Sequence, residues 1–296
     1  MLNPKDQIIL EALFQDATTT TKELAKLAKV TQPAAYNRVK KLEQEGYIQR
    51  YDTIVNWNLI PLRKKQYFCD LSDEQIESVQ KQEFVLALFE TIGEFSHSVW
   101  CFFQTEEQET EFEKLLPPKR KKVTIQTVHA KPLSLFDLQL PIKKQVAEKP
   151  YTLTQEDIII FECLAQGGAK KSVMDIYKET GLSVDVIRYR KQKMIQNRFI
   201  LYFLAQPGIE KMHLTFFYIY ITTKVKADLS KINRAVFYFD WDEGQGVGFI
   251  AKNLDDYLSV ITQIKKIYAE HIEDFFVLTN SKYYVLNRYP LQLVLK

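Results

Sequence analysis

Set against itself with Leu2 beside Leu153, the chain matches at an offset of 151. Asp6 meets Asp157, Ile8 meets Ile159, Ile9 meets Ile160, Glu11 meets Glu162, Leu13 meets Leu164 and Gln15 meets Gln166. After a one-residue insertion the offset becomes 152. The matches then continue in order, pairing Lys26 with Lys178, Arg38 with Arg190, Lys41 with Lys193, Gln44 with Gln196 and Ile48 with Ile200. Sparse identities that keep their order over about fifty residues mark a duplicated unit. Whatever one copy folds into, the other must resemble, so the chain is expected to consist of two like halves. A polar stretch with two prolines, residues 139–152, reads as the linker between them.

Each copy opens with helical periodicity. Ile8, Ile9, Ala12 and Leu13 recur at helical spacing. Thr20 and Glu23 stand three apart, the spacing of a capping box, before a second helix through Leu24, Leu27 and Ala28. Lys29 to Thr31 reads as a tight turn. Thr31 is then the N-cap of a third helix, with Pro33 in its first turn. Ala35, Val39 and Leu42 give that helix an apolar stripe, Gly46 ends it, and Tyr47 to Val55 alternates like a strand pair. Copy two repeats the plan, with Ser183 opening its third helix and residues 199–204 as its strand segment. A helix, two helices joined by a tight turn and a hairpin make a winged helix-turn-helix.

The rest of each copy reads as β-α-β-β-α-β, the ferredoxin-like order. In copy two this is a strand from Met212 to Ile221, a short polar helix from Ala227 to Ala235, and a strand from Val236 to Trp241. A Gly-rich turn with a strand from Gly244 to Ala251, a helix from Leu254 to Ala269 and a strand from Phe275 to Leu286 complete it. In copy one the strands are Gln66–Leu71, Phe84–Phe89, Phe95–Gln104 and Val123–Val128, with a helix over Glu106–Leu116. The fold class is therefore α+β, with expected boundaries at 1–60, 61–138, 139–152, 153–208 and 209–296.

Charge and composition narrow the function. The chain has 40 Lys and Arg against 37 Asp and Glu, a formal net charge of +3, which excludes a polyanion-coating protein but leaves room for a local basic face. Three dispersed cysteines, Cys69, Cys101 and Cys163, make neither a disulfide framework nor a four-thiolate zinc site. No apolar run reaches the roughly 18 residues of a membrane span, and residues 1–6 lack a signal-peptide pattern, so the expected location is cytoplasmic and no membrane partner is expected. The four histidines lack metal spacing, and neither a metal nor a cofactor is expected. Residues 119–122 read as an exposed basic turn, and the glycines at 244, 246 and 248 as a hairpin turn rather than a nucleotide loop.

The stretch from Thr31 to Ile48 resembles the recognition helix of the Lrp/AsnC family and its Glu-Gly-aliphatic step into the wing. Residues 181–190 are equally similar. Gly93-Glu94-Phe95 with Glu111-Phe112 resembles the family's ligand-domain signature, with Ser96 where an aspartate is usual. The resemblance implies a DNA-binding transcription regulator responding to an amino-acid-like small molecule. In a tandem chain it further implies a dimer-like unit within one polypeptide, able to associate into homo-oligomers.

Double-stranded DNA is the expected partner, since basic side chains supply affinity and a helix in the major groove reads base edges. In copy one the candidate residues are Thr31, Gln32, Tyr36, Asn37, Arg38, Lys40 and Lys41, with Arg50 on the wing. Gln32 and Asn37 are the base readers, because an amide pairs bidentately with adenine. In copy two the candidates are Ser183, Arg188, Tyr189, Arg190 and Lys193. Arg188 and Tyr189 align with Tyr36 and Asn37, so the two helices are not expected to read the same bases. Lys191 falls on the apolar stripe in place of Val39, and either loosens the packing or snorkels. The plainer alternatives are a solvated basic face and a protein-binding winged helix. The alternative functions on this scaffold are a siroheme-decarboxylase-like enzyme, with His97 and His129 converging on a tetrapyrrole, and a tandem winged-helix replication initiator.

Overall fold

The computed structural model describes residues 2–130, 134–136, 151–165, 170–285 and 294, with the backbone alone for 280–285. The expected linker lies, save residues 151 and 152, outside them. In copy one the elements run α1 (Pro4–Gln15), α2 (Thr21–Ala28), α3 (Gln32–Gln44), β1 (Ile48–Val55), β2 (Arg63–Cys69), α4 (Asp73–Gln80), β3 (Val85–Ile92), β4 (His97–Phe103), α5 (Glu106–Glu113) and β5 (Arg120–Ala130). In copy two they run α6 (Gln155–Ala165), α7 (Val173–Thr180), α8 (Val184–Gln196), β6 (Ile200–Pro207), β7 (Thr215–Thr222), β8 (Ala235–Trp241), β9 (Gly244–Ala251), α9 (Leu254–Tyr268) and β10 (Asp274–Val285). The chain divides into two compact units, Met1–Leu59 with Pro132–Leu214 and Ile60–Lys131 with Thr215–Lys296. Like segments of the two copies thus fold together.

In the first unit the helices start where short polar side chains cap them. Thr20 and Glu23 close both hydrogen bonds of a capping box, Thr31 accepts from the Ala34 N–H, and Ser183 accepts from the Val186 N–H. Ala35 and Leu42 of α3 are buried, as are Leu24 of α2 and Ile9, Leu10 and Leu13 of α1, and this apolar seam holds the three helices together. The expected hairpins do not form. Residues 48–55 make one unbroken strand whose antiparallel partner is β6 of the other copy, with Thr53 opposite Phe203. The exchange extends beyond the ladder. The Ala17 N–H donates to the Phe203 carbonyl at 2.7 Å, the Asn56 N–H to the Phe199 carbonyl at 2.8 Å, and the Thr53 hydroxyl to the Leu164 carbonyl at 3.1 Å. The pattern of alternating residues was right, but alternation identifies a strand and not its partner. The buried Glu11 carboxylate also accepts from the Ser134 hydroxyl and from the N–H groups of Leu135 and Phe136, fastening that segment to α1.

In the second unit eight strands close into a barrel in the order β10-β3-β4-β2-β5-β8-β9-β7. Each copy contributes four. Copy one shows the full β-α-β-β-α-β order. In copy two the helix expected over Ala227–Ala235 is a single 3-10 turn, Leu229–Lys231, after which Arg234 adopts a positive φ of 62° and turns the chain into β8. On the outer face Ile219, Ile221, Val247 and Phe249 pack against Val260, Ile264 and Tyr268 of α9. Phe68 of β2 meets rings from strands that are not its neighbours, lying 5.0 Å from Tyr220 and 5.4 Å from Phe276, and these two, cross-strand partners on β7 and β10, stack at 4.6 Å. The glycines at 244, 246 and 248 stand in β9 itself, the turn being Asp242–Glu243. Two of them make room for rings: a Cβ at Gly246 would lie 2.1 Å from the Phe239 ring and one at Gly248 2.6 Å from that of Phe237. Of the expected basic turn, residues 120–122 begin β5 instead. There Arg120 and Lys122 pair with Glu113, and Lys121 lies over the Phe276 ring at 4.0 Å.

Candidate nucleic-acid interface

The outer face of α3 is built from what its apolar stripe leaves over. Thr31 is used up as the cap, with its hydroxyl on the Ala34 N–H at 3.4 Å. Gln32, Tyr36, Asn37, Lys40 and Lys41 are all exposed, Tyr36 by 53%. Gln32, Pro33, Tyr36 and Asn37 line, together with Thr21 of α2, an open concavity of about 320 Å³. Lys40 lies 3.5 Å from Glu43 and 5.8 Å from the Tyr36 ring centre, and Lys41 lies 3.7 Å from Glu45. Glu43 itself is held by Tyr51 of β1 and by Lys170 of copy two. Burial pushes its carboxyl upward, but the hydrogen bonds from Lys170 and Tyr51 outweigh this and keep it below the ordinary carboxylate value.

Arg38 does not belong to this face. Its guanidinium is half-buried and donates to the Asp6 carboxylate of α1 at 2.6 Å. Copy two repeats the device, with Arg190 3.8 Å from the fully buried Asp157 and 3.7 Å from Glu156 on α6. Both arginines, named among the DNA-binding candidates, brace the third helix against the first. The signal was present: Asp6 with Asp157 and Arg38 with Arg190 are among the few identities the copies retain.

The α8 face is less basic than its composition suggests. Ser183 serves as the cap, Arg190 is braced, and Lys191 runs half-buried over the Phe203 ring at 5.4 Å, where burial pushes its ammonium below the ordinary lysine value. Lys191 therefore snorkels along the core. Among the candidates this leaves Arg188, 3.8 Å from Asp185, the exposed Tyr189, and Lys193, 5.5 Å from the Tyr189 ring centre. In β1, Arg50 shares its charge with Asp52 at 3.0 Å.

The remaining candidates lie in the second unit. His97 and His129 do not converge. Cys69 of β2 is opposite both His97 and Arg120, and His129 lies nine positions along β5 from Arg120, about 30 Å of strand. His129 stacks on Tyr238 at 4.6 Å. His97 is buried, and its Nδ1 accepts from the Leu71 N–H at 3.2 Å. At the ligand-domain signature, Ser96 donates from both its N–H and its hydroxyl to Asp70, which supplies a carboxylate to that loop from the end of β2. Among the described residues no group of three or more His, Cys, Asp or Glu could hold a metal ion, and no helix is long and apolar enough to cross a membrane.

Residues 2–49 match the family model described as winged helix-turn-helix DNA-binding. The HTH-type transcriptional regulator LrpA of Pyrococcus horikoshii is 31% identical over 99 residues, which span 32% of this chain and 70% of that protein. The chain belongs to the Lrp/AsnC family of helix-turn-helix transcriptional regulators. LrpA of Pyrococcus abyssi matches over the same share of each chain at 30% identity. The likeness to the crystal structure of the siroheme decarboxylase NirDL spans 98% of this chain and 99% of that one, with a TM-score of 0.58 and 11% identity. It is a likeness of fold, and it covers both copies at once. This Lrp/AsnC member thus carries, in one polypeptide, two winged-helix segments and two sheet segments.

Proposed function

We propose that this Lrp/AsnC regulator acts by binding duplex DNA in a sequence-specific manner, with the outer face of α3 as its principal reader and no catalytic step of its own. The observation that carries this reading is the division of labour along α3. The apolar stripe and the Arg38 brace hold the helix down, and two amides and two lysines are left facing water. Gln32 and Asn37 have the donor and acceptor geometry for adenine, and Lys40 and Lys41 supply charge toward phosphate. Arg50, Arg188, Tyr189 and Lys193 complete the contact set, with Arg38 and Arg190 as positioning groups. The family relatives support the DNA target. Against the tetrapyrrole reading stand the two histidines at opposite ends of the sheet.

A mobility-shift assay with mixed genomic fragments at about 50 mM salt tests this. Retardation that Lys40→Ala with Lys41→Ala weakens for every fragment is the expected result, and no retardation overturns the reading. Effector binding is assigned to the loop of Asp70 and Ser96. A thermal-shift screen of amino acids, repeated on Asp70→Asn, should show a stabilising ligand whose effect the variant loses. Sedimentation of the purified chain tests association into homo-oligomers.

A further inference from the structure

We infer that the two recognition helices specify different bases, α3 selecting adenine and α8 selecting guanine through Arg188. The operator is then a pair of unlike half-sites and not an inverted repeat. This rests on the DNA-binding reading above and supplies the base that its second helix reads.

Guanine offers two acceptors in the major groove, N7 and O6, and a guanidinium meets both with parallel N–H groups. Arg188 is placed to do this. At the repeat offset of 152 its counterpart on α3 is Tyr36, which lines the concavity beside Gln32 and Asn37. Both positions fall near the start of their helices, where a recognition helix contacts base edges. The Arg188 side chain is 67% exposed, and Asp185 lies 3.8 Å from it, beyond hydrogen-bond distance, so the fork is available to a pair of acceptors. Asp185 itself, on a base edge, accepts only from cytosine, the base that guanine pairs with. The other cations of this stretch are spent elsewhere: Arg190 faces Asp157, and Lys191 lies over the Phe203 ring. On α3 the corresponding device is missing. Tyr36 has a single hydroxyl, and the Arg38 guanidinium donates to Asp6 at 2.6 Å. Lys40 and Lys41 stand a turn farther from the helix start, toward phosphate. The amides are displaced as well. Val184 and Tyr189 take the places of Gln32 and Asn37, while the exposed Gln192 takes that of Lys40, so an adenine read by Gln192 falls at a step that the α3 amides do not occupy. Both helices belong to one compact unit, joined through β1 and β6, and their two readings therefore come in a fixed order.

Selection of bound duplexes from a random pool, followed by affinity measurement on the selected duplex and its substituted forms, tests this. The expected outcome is two blocks that are not inverted repeats of one another, one of them with a specified guanine. Exchanging that guanine for 7-deazaguanine keeps the base pair and removes the N7 acceptor. The exchange should weaken the parent protein about tenfold and leave Arg188→Ala indifferent. Arg188→Gln should move the preference at that position from guanine to adenine. The side chain is exposed, so both variants should melt with the parent. An inverted repeat, or a pool with no specified guanine, overturns the inference alone. So does an Arg188→Ala variant that still discriminates as the parent does, or one that weakens the guanine and 7-deazaguanine duplexes equally, the mark of a phosphate contact. Failure of the parent protein to retain any duplex overturns it together with the DNA-binding reading.

Discussion

Arg38 and Arg190 show how a residue's neighbours redirect its charge. Each sits in a basic helix, yet each guanidinium is turned toward an aspartate of the first helix of its copy. The Asp6–Arg38 pair is partly exposed, so its worth is modest. A double-mutant cycle with Asp6→Ala and Arg38→Ala, read by urea denaturation, should give a coupling energy of about 1 kcal/mol. Arg38→Ala alone should lower stability more than Lys41→Ala, whose side chain is 68% exposed. The turns tell a similar story. The residue after α2 is Lys29 with φ 52°, while its counterpart after α7 is Gly181 with φ 70°. The residue beyond α3 is Gly46 with φ 78°, while its counterpart is Arg198 with φ 61°. Both copies keep the left-handed turn at both places, and each has glycine at only one of them. Gly46 marked a helix end in the sequence, whereas Arg198 could not.

His97 adds a pH dependence at this scale. Burial lowers its pKa below the ordinary 6.5, outweighing the pull of Glu90, Asp70 and Asp73. The folded state thus binds that proton more weakly than the unfolded chain. Stability from this site is full above about pH 6.5 and is lost as pH falls through the depressed value. Protonation of Nδ1 would also set it against the Leu71 N–H. Thermal melts between about pH 5 and 7 should show an acid-side fall that His97→Gln reduces.

Among the elements, β1 and β6 decide the most. Each completes its own helix-turn-helix only by pairing with the other, and the turn after α1 of copy one hydrogen-bonds to β6 through Ala17. A fragment ending after Leu59 would present an eight-residue strand with no partner. We expect residues 1–59 alone to be poorly folded or self-associated, with broad amide dispersion appearing only when residues 151–214 are supplied in trans. A well-dispersed monomeric spectrum of the fragment would count against the exchanged arrangement. The element-level sequence reading was otherwise close. Caps at Thr20, Thr31 and Ser183 were legible because a cap is a local hydrogen bond three residues long. The polar stretch before β8 was read as a helix because its composition allows one, but its packing at Leu229 and Ile232 and the turn at Arg234 confine it to one 3-10 turn.

For the whole molecule the net charge of +3 already argued against binding by bulk electrostatics. Among the candidate residues the structure leaves five cations outside the braces: Lys40, Lys41, Arg50, Arg188 and Lys193. If all five meet phosphates, the slope of log affinity against log salt is no steeper than about −4.5. Titration of a selected duplex over a range of salt concentrations checks this, and a much steeper slope would point to phosphate contacts elsewhere on the chain.

The amino-acid order by itself determined that there are two copies, where most helices begin, which residues form strands, and that the third helix of each copy has an apolar side and a polar side. These follow from contacts a few residues apart, or from repetition, and both are written along the chain. Tertiary structure alone decided which strand pairs with which, that the sheets of the two copies close into one barrel, and which basic side chains brace one helix against another. Those outcomes depend on carboxylates, rings and backbone groups brought close from distant positions, and linear spacing does not encode that proximity.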